Sequence, residues 1–428
     1  MTATQTPDTE QAAPDQVAPV AASGNRIASL DLIRGIAVLG ILAANIVAFG
    51  QPFAAYMYPA AFVTPADDPG GVMWITQFVL IDNKMRGLFT LLFGAGMFLF
   101  MEKAWAKDAT RWLQARRLFW LMLFGLVHFF LLWRGDILFL YSIAGFVALG
   151  ALRWKAKTQL VTGLLGYIAG AIMFIGFMGP TYFVADTEFG DTAAFAEMRE
   201  GLEEGKVQEL EDAAVETEIL QNGTYADFVQ HNFQQHASDL GFMLFMFFFE
   251  TLPLMLVGMG LYRKGLFSGG FDQAKQRKWG WIGVIVGSAL TLTLALWAKS
   301  TGFSYYGTLT AFVGFAGLTV LPVTLGLAAL LASYGANAKG WLADRLSAAG
   351  RAAFTNYLGT SALMVLVFHP WAGGLFGDLN RAQLYLVVLL TWAVMLLWSK
   401  PWLERYRYGP LEWLWRCLTY RKLFPLRR

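Results

Sequence analysis

RRLFWLMLFGLVHFFLLWRGDILFLYSIAGFVALGALR, residues 116–153, is two apolar runs joined by the polar knot Trp133-Arg134-Gly135-Asp136. At a helical rise of about 1.5 Å per residue, each run is long enough to cross the roughly 30 Å hydrocarbon layer of a bilayer. The knot has room only for a hairpin turn, so the two helices are expected to be antiparallel neighbours. Inside the first run lies His128, the one histidine of four set well within an apolar stretch. Its offset from Arg134 places it about 9 Å beneath the turn. An imidazole is costly to bury in lipid without a partner or a task, which makes His128 the first site candidate.

The rest of the chain agrees with the hairpin. Of 428 residues, 56% are hydrophobic and only 15% charged, where a soluble domain carries about 25% charge. The mean hydropathy is +0.47. Long apolar runs recur, and Phe and Trp are abundant, as lipid-facing surfaces and interfacial belts require. The fold class is therefore all-α, a polytopic membrane helical bundle. The single cysteine, Cys417, excludes an internal disulfide and any cysteine-based metal cluster. No zinc spacing, P-loop or nucleic-acid motif is present, so neither a metal nor a nucleic-acid partner is expected.

Residues 1–25 are rich in Ala, Pro, Gln and Thr and read as a disordered cytoplasmic tail without the basic start of a signal peptide. An N-terminal transmembrane region covers 26–185. Its spans are 30–50, 85–101, the two arms of the hairpin, and 160–183. The apolar piece 72–81 is too short to cross alone, and either lies at the interface or extends the second span. Residues 186–239 differ in kind: fourteen acids stand against Arg199 and Lys206, in patches that read as surface helices of an acidic extracytoplasmic insert. A C-terminal transmembrane region, 240–399, holds spans at 240–261, 279–297, 309–331, 352–368 and 384–398. A basic, aromatic cytoplasmic tail, 400–428, closes the chain. Lys and Arg collect in alternate loops, after spans two, four, six and eight and in the tail. About ten spans with both termini in the cytoplasm satisfy every loop.

Several further residues invite a chemical reading. Asp136 stands at the N-cap of the fourth span, where a carboxylate accepts first-turn N–H bonds. It is expected to pair with Lys84 or Arg86, while contact with His128, at a different depth, is not expected. Asp31 and Arg34 form an i, i+3 pair, either an interfacial salt bridge or a phosphate contact. Arg117, Arg351 and Arg416 share that face, and arginine suits bidentate phosphate binding as well as topology. Glu250 lies deep in the sixth span, with Pro253 placed to kink the helix. Asn45, Asn356 and Tyr357 are polar groups for packing or for a site. Gly94 and Gly96 permit close helix approach. His231 and His236, five apart, should point to different helix faces, which argues against a metal site.

Leu30-Asp31-Leu32-Ile33-Arg34-Gly35, Leu88 to Gly96, His128 through Gly135-Asp136-Ile137-Leu138, Gly350-Arg351 with Asn356-Tyr357, and Gly409-Pro410-Leu411-Glu412-Trp413 together resemble the YeiB-like bacterial membrane proteins. That group looks related to a broader transmembrane acyltransferase superfamily, with lysosomal heparan-alpha-glucosaminide N-acetyltransferase and the acyltransferase-3 proteins as distant members. The resemblance implies a multi-pass protein of the bacterial inner membrane. It implies transfer of an acyl group from cytoplasmic acyl-CoA, most simply acetyl-CoA, to a hydroxyl or amine of a small-molecule or glycan acceptor outside. Asn45 occupies the place where acyltransferase-3 proteins carry a histidine, so the role of base or transient acyl carrier falls to His128, with Asn45 and Asp136 as the other candidate catalytic residues. Arg34, Arg117, Arg351 and Arg416 would hold the donor. A small-molecule transporter using Glu250 and the intramembrane polar groups Asp31, Lys84, Arg86, Asn356 and Tyr357 is the alternative. Beyond the bilayer, a homodimer is compatible with this reading.

Overall fold

The computed structural model describes residues 27–428; the tail expected over 1–25 lies outside the described residues. Sixteen α-helices make up the described chain, with no β-strand among the described residues. Seven helices, counting α2–α3 and α11–α12 as one each, are long and apolar enough to cross a membrane, and two shorter ones are equally apolar.

The first half contains α1 (Ala28–Gly50), α2 (Val72–Leu80), α3 (Lys84–Trp105), α4 (Arg111–Leu131), α5 (Leu138–Ala151) and α6 (Ala156–Asp186). The acidic insert forms α7 (Ala196–Asn222) and α8 (Tyr225–Gln235). The second half contains α9 (Asp239–Arg263), α10 (Gln273–Ser300), α11 (Tyr305–Leu309), a π-helical turn (Thr310–Phe315), α12 (Ala316–Gly335), α13 (Trp341–Arg351), α14 (Ala353–Phe368), α15 (Arg381–Arg405) and α16 (Pro410–Tyr420). Helix α1 is the central post: most of its residues are buried, whereas α6, α10 and α15 present apolar faces outward. That distribution is the one a bundle in lipid requires, because lipid tails satisfy an apolar surface as well as protein does.

Two crossings are set by glycine. A Cβ at Gly350 of α13 would lie 1.8 Å from the Asp31 carbonyl of α1, and one at Gly258 of α9 would lie 1.9 Å from the Leu91 carbonyl of α3. Gly94 belongs to the second crossing; a Cβ there would meet the Met255 carbonyl at 2.1 Å. Backbone-to-backbone contact of this kind maximises dispersion where no hydrophobic force drives helices together.

The hairpin departs from expectation. Helix α5 has 14 residues, about 21 Å, too short to cross alone. The chain between α4 and α5 enters the bundle instead of turning at its surface. Leu132 and Trp133 both donate backbone N–H bonds to the His128 carbonyl, at 2.9 and 2.8 Å. The Trp133 indole stacks on Phe49, ring centroids 4.1 Å apart. Burial of Trp133 and Asp136 draws the knot inward, and α5 starts late as a result. The 72–81 piece is a separate helix, α2, broken from α3 at Asp82-Asn83, where Asn83 adopts a left-handed conformation (φ 62°).

Candidate functional site

Two cavities approach each other from opposite ends of the bundle. The insert-side cavity, about 500 Å³, is lined by α1, α6, α9, the α11–α12 segment and residues 133–137. The tail-side cavity, about 340 Å³, lies between α1, α3, the basic tail helix α16 and the start of α14. One apolar cluster separates them. Ile41 and Ile137 of this cluster face the insert side, while Leu121, Leu138, Phe354 and Tyr357 face the tail side. Ile137 and Leu138 are consecutive residues, so at the start of α5 the partition is one residue thick.

At this partition lies a buried chain of three polar side chains. Asp136 Oδ1 is 2.7 Å from His128 Nδ1, and His128 Nε2 is 2.7 Å from Ser361 Oγ. The N-cap of α5 is Ile137 rather than the expected Asp136, but from one position earlier the other oxygen of Asp136 still accepts the first-turn Phe139 N–H at 2.7 Å, so the carboxylate anchors α5 and holds the ring. This corrects the expected geometry: Asp136 meets His128, while Arg86 and Lys84 are engaged elsewhere. The inward fold of the knot is the reason, since it brings Asp136 to the depth of His128. Carboxylate on Nδ1 and hydroxyl on Nε2 is the order found in Ser-His-Asp triads. Here, however, His128 and Ser361 line neither cavity, and Asp136 alone of the three lines one. Tyr357 completes the arrangement. Its ring lies 5.1 Å from the imidazole, its hydroxyl accepts the Ile137 N–H at 3.2 Å, and its side chain lines the tail-side cavity.

The insert-side cavity holds Asn45, Asn83 and the ion pair of Arg86 with Glu250, 2.8 Å apart. Arg86 also donates to Asn83 at 3.0 Å and stacks over Phe247. Lys84 donates to the Phe78 carbonyl and belongs to a buried group with Asp82, Gln77 and Arg381. In that group Gln77 bridges Asp82 at 3.1 Å and Arg381 at 3.0 Å. Over the mouth, Arg134 pairs with Glu216 of α7 at 2.7 Å and approaches Asp239 at 3.7 Å. Glu209 of α7 reaches the cavity, and burial raises its carboxyl above the ordinary range against the opposing pull of Arg134. His231 and His236 do not point apart: their rings are 5.2 Å from each other, because α8 ends at Gln235 and His236 turns back.

The tail-side cavity is cationic. Arg34, Lys103, Arg117, Arg351, Arg407 and Arg416 line it against two carboxylates, Asp31 and Glu412. Glu412 is already engaged, accepting the Phe354 and Thr355 N–H groups at 2.7 and 3.1 Å, and Asp31 accepts from Arg34 at 3.4 Å. Arg117 lies between Phe100 and Trp415. Arg416 is set among Tyr408, Tyr420 and Phe424, and its Nε and one terminal nitrogen are buried without a hydrogen-bond partner. Guanidinium groups held on aromatic faces and short of acceptors suit a polyanion. The arrangement thus gathers the four arginines singled out from sequence. Asn356 stands apart from both cavities, bonded to Ala349, Ser399 and Trp398. Ser361 escaped sequence reasoning. Its only signal is a place one turn beyond Tyr357.

Residues 261–422 match the family model described as "Protein of unknown function (DUF418)". The chain is similar to the "Uncharacterized protein YeiB" of Escherichia coli (strain K12), 29% identical over 409 residues, covering 94% of this chain and 98% of that protein. It is likewise similar to the "Uncharacterized protein YxaH" of Bacillus subtilis (strain 168), 28% identical over 426 residues, with 94% and 96% covered. No solved structure matches it.

Proposed function

The chain belongs to the YeiB-like family, and from that footing we propose that it is a transmembrane acyltransferase of the bacterial inner membrane. The observation that carries this reading is the pair of cavities converging on a thin partition, the cationic one on the side of the basic tail. Read as about ten crossings, with α5 completed by the inward-folded residues 132–137 and both termini in the cytoplasm, the fold opens the tail-side cavity to the cytoplasm and the insert-side cavity outward. Acyl-CoA is the donor: its pyrophosphate meets Arg117 and Arg416, with Arg34 and Arg351 beside them. The acceptor hydroxyl or amine lies in the outer cavity near Asn45 and Asp136. Asn45 orients the acyl carbonyl. Asp136 takes the proton as the acceptor attacks the thioester, the C–S bond breaks, and the proton passes to the departing thiolate to release CoA as its thiol. His128 and Ser361 line no cavity, so they act through Asp136, fixing its carboxylate and sharing its charge. The donor reaches the acceptor when Tyr357 turns away from Ile137.

Purified protein in proteoliposomes, supplied with acetyl-CoA and a panel of hydroxyl and amine acceptors, should release CoA thiol. That release should be lost in Asp136→Asn. No binding or cleavage of any acyl-CoA would sink this reading. The Arg86–Glu250 pair in the cavity wall, with Pro253 in the same helix as Glu250, favours one other function, small-molecule transport. Uptake of a solute into the same vesicles without acyl donor would decide for it.

A further inference from the structure

The end of the insert-side cavity is covered, yet its wall is open to the side. Several contacts pin the insert over the mouth, among them Arg134 on Glu216 at 2.7 Å, Asn232 Nδ2 donating to the Phe130 carbonyl at 3.1 Å, and Tyr306 Oη donating to the Leu202 carbonyl at 2.6 Å. Beneath it, α6 and α9 cross tightly and then part. A Cβ at Gly163 would meet the Pro253 carbonyl at 2.7 Å, and one at Gly170 would meet Phe249 at 2.9 Å. Beyond the crossing α6 leans on the π-helical turn, where Thr310 donates to the Met178 carbonyl at 3.0 Å. The first turns of α9 are left with little cover. Phe177 and Phe242 line the cavity and are 57% and 65% exposed, and Ile172 and Phe245 beside them on α6 and α9 are exposed without lining it. The cavity is therefore continuous with the surface that lipid tails touch.

We propose that the occupant of this cavity is an amphiphile of the surrounding leaflet, which enters sideways between α6 and α9. Its apolar chain lies on Phe177, Phe242, Met243 and Met246, and its head reaches Asn45 and Asp136. Four carboxylates line the cavity against two arginines, and Arg86 and Arg134 already face carboxylates. That balance selects a head ending in an amine or hydroxyl over one ending in a phosphate. The proposal takes the acceptor role from the acyl-transfer reading, but occupancy of the cavity can be measured without any transfer.

The probe is phosphatidylethanolamine with a diazirine in its acyl chain, present in trace in vesicles of phosphatidylethanolamine and phosphatidylglycerol that contain the full-length protein. After illumination, label should appear on Met246 and Phe174 inside the cavity as well as on Leu386 and Leu390, which face lipid on α15. Met246→Trp should reduce the cavity label by at least tenfold and leave the α15 label unchanged. Met243→Trp serves if the first variant does not fold. Label confined to outward residues such as Leu390, with Met246 and Phe174 clean, overturns the proposal. Cavity label in a protein that cleaves no acyl-CoA supports lateral entry while removing the acyl-transfer reading.

Discussion

Replacing Asp136 by Asn tests whether the buried chain at the partition does chemistry or only holds helices together. Each carboxylate oxygen accepts one bond, Oδ1 from His128 and Oδ2 from the Phe139 N–H, both at 2.7 Å. An amide keeps one acceptor and turns a donor toward the other partner. The imidazole can answer by shifting its proton to Nε2 and donating to Ser361. Two charge-assisted bonds, roughly 1.5–3 kcal/mol each, thus become two neutral ones of about 1 kcal/mol. The net cost is about 1–4 kcal/mol, with the fold retained. Asp136→Ala leaves both partners buried and unpaired, and should cost about 3–5 kcal/mol. A lost general base, by contrast, lowers the chemical step by about 10²–10⁴. The assay is CoA thiol release per folded molecule in proteoliposomes, with the folded fraction taken from thermal unfolding of the same preparation. Asp136→Asn that folds and releases thiol at the wild-type rate would refute the role given to Asp136. The His128–Ser361 pair would then be structural as well.

His369, past the end of α14, is held by burial at a pKa of about 4 against the ordinary 6.5. A depressed folded pKa contributes stability that is present above pH 6.5 and lost as pH falls toward 4. The wild type should therefore lose about 2 kcal/mol between pH 7.5 and 5 from this group, and His369→Phe should flatten that slope in thermal unfolding across the range. Arg86→Met should cost about 3–5 kcal/mol by stranding Glu250, while Arg86→Met combined with Glu250→Leu should recover most of the loss; equal melting of single and double variants would show that the pair is not coupled. Gly350→Ala forces a Cβ to 1.8 Å from the Asp31 carbonyl and should cost at least about 1–3 kcal/mol. Gly359→Ala meets nothing within 4 Å and should leave the melting temperature unchanged or raised. Arg416→Ala should weaken acetyl-CoA binding by about tenfold or more, measured by calorimetry, through loss of about 1.5–3 kcal/mol in charge-assisted bonds.

The helices of the bundle were legible in the sequence because their signal is local. Apolar runs over 160–183 and 240–261 predict α6 and α9, and a run's length times the helical rise says whether it can cross. The four arginines of the tail-side cavity were legible too, since charge segregates to one face along the chain. The hairpin misled for the same reason: residues 116–153 look like two equal runs, and nothing local says that Trp133 will stack on Phe49 and draw the knot inward. Ser361 is 233 positions from His128, and no periodicity links them. The sequence by itself determined which segments are helical, which are apolar enough for lipid, and where the cations gather. Only the tertiary structure decided which faces meet, that Asp136 and not His128 lines a cavity, and that α6 and α9 part beyond Gly170. Those outcomes depend on packing between side chains far apart in the chain, and such contacts have no local signature.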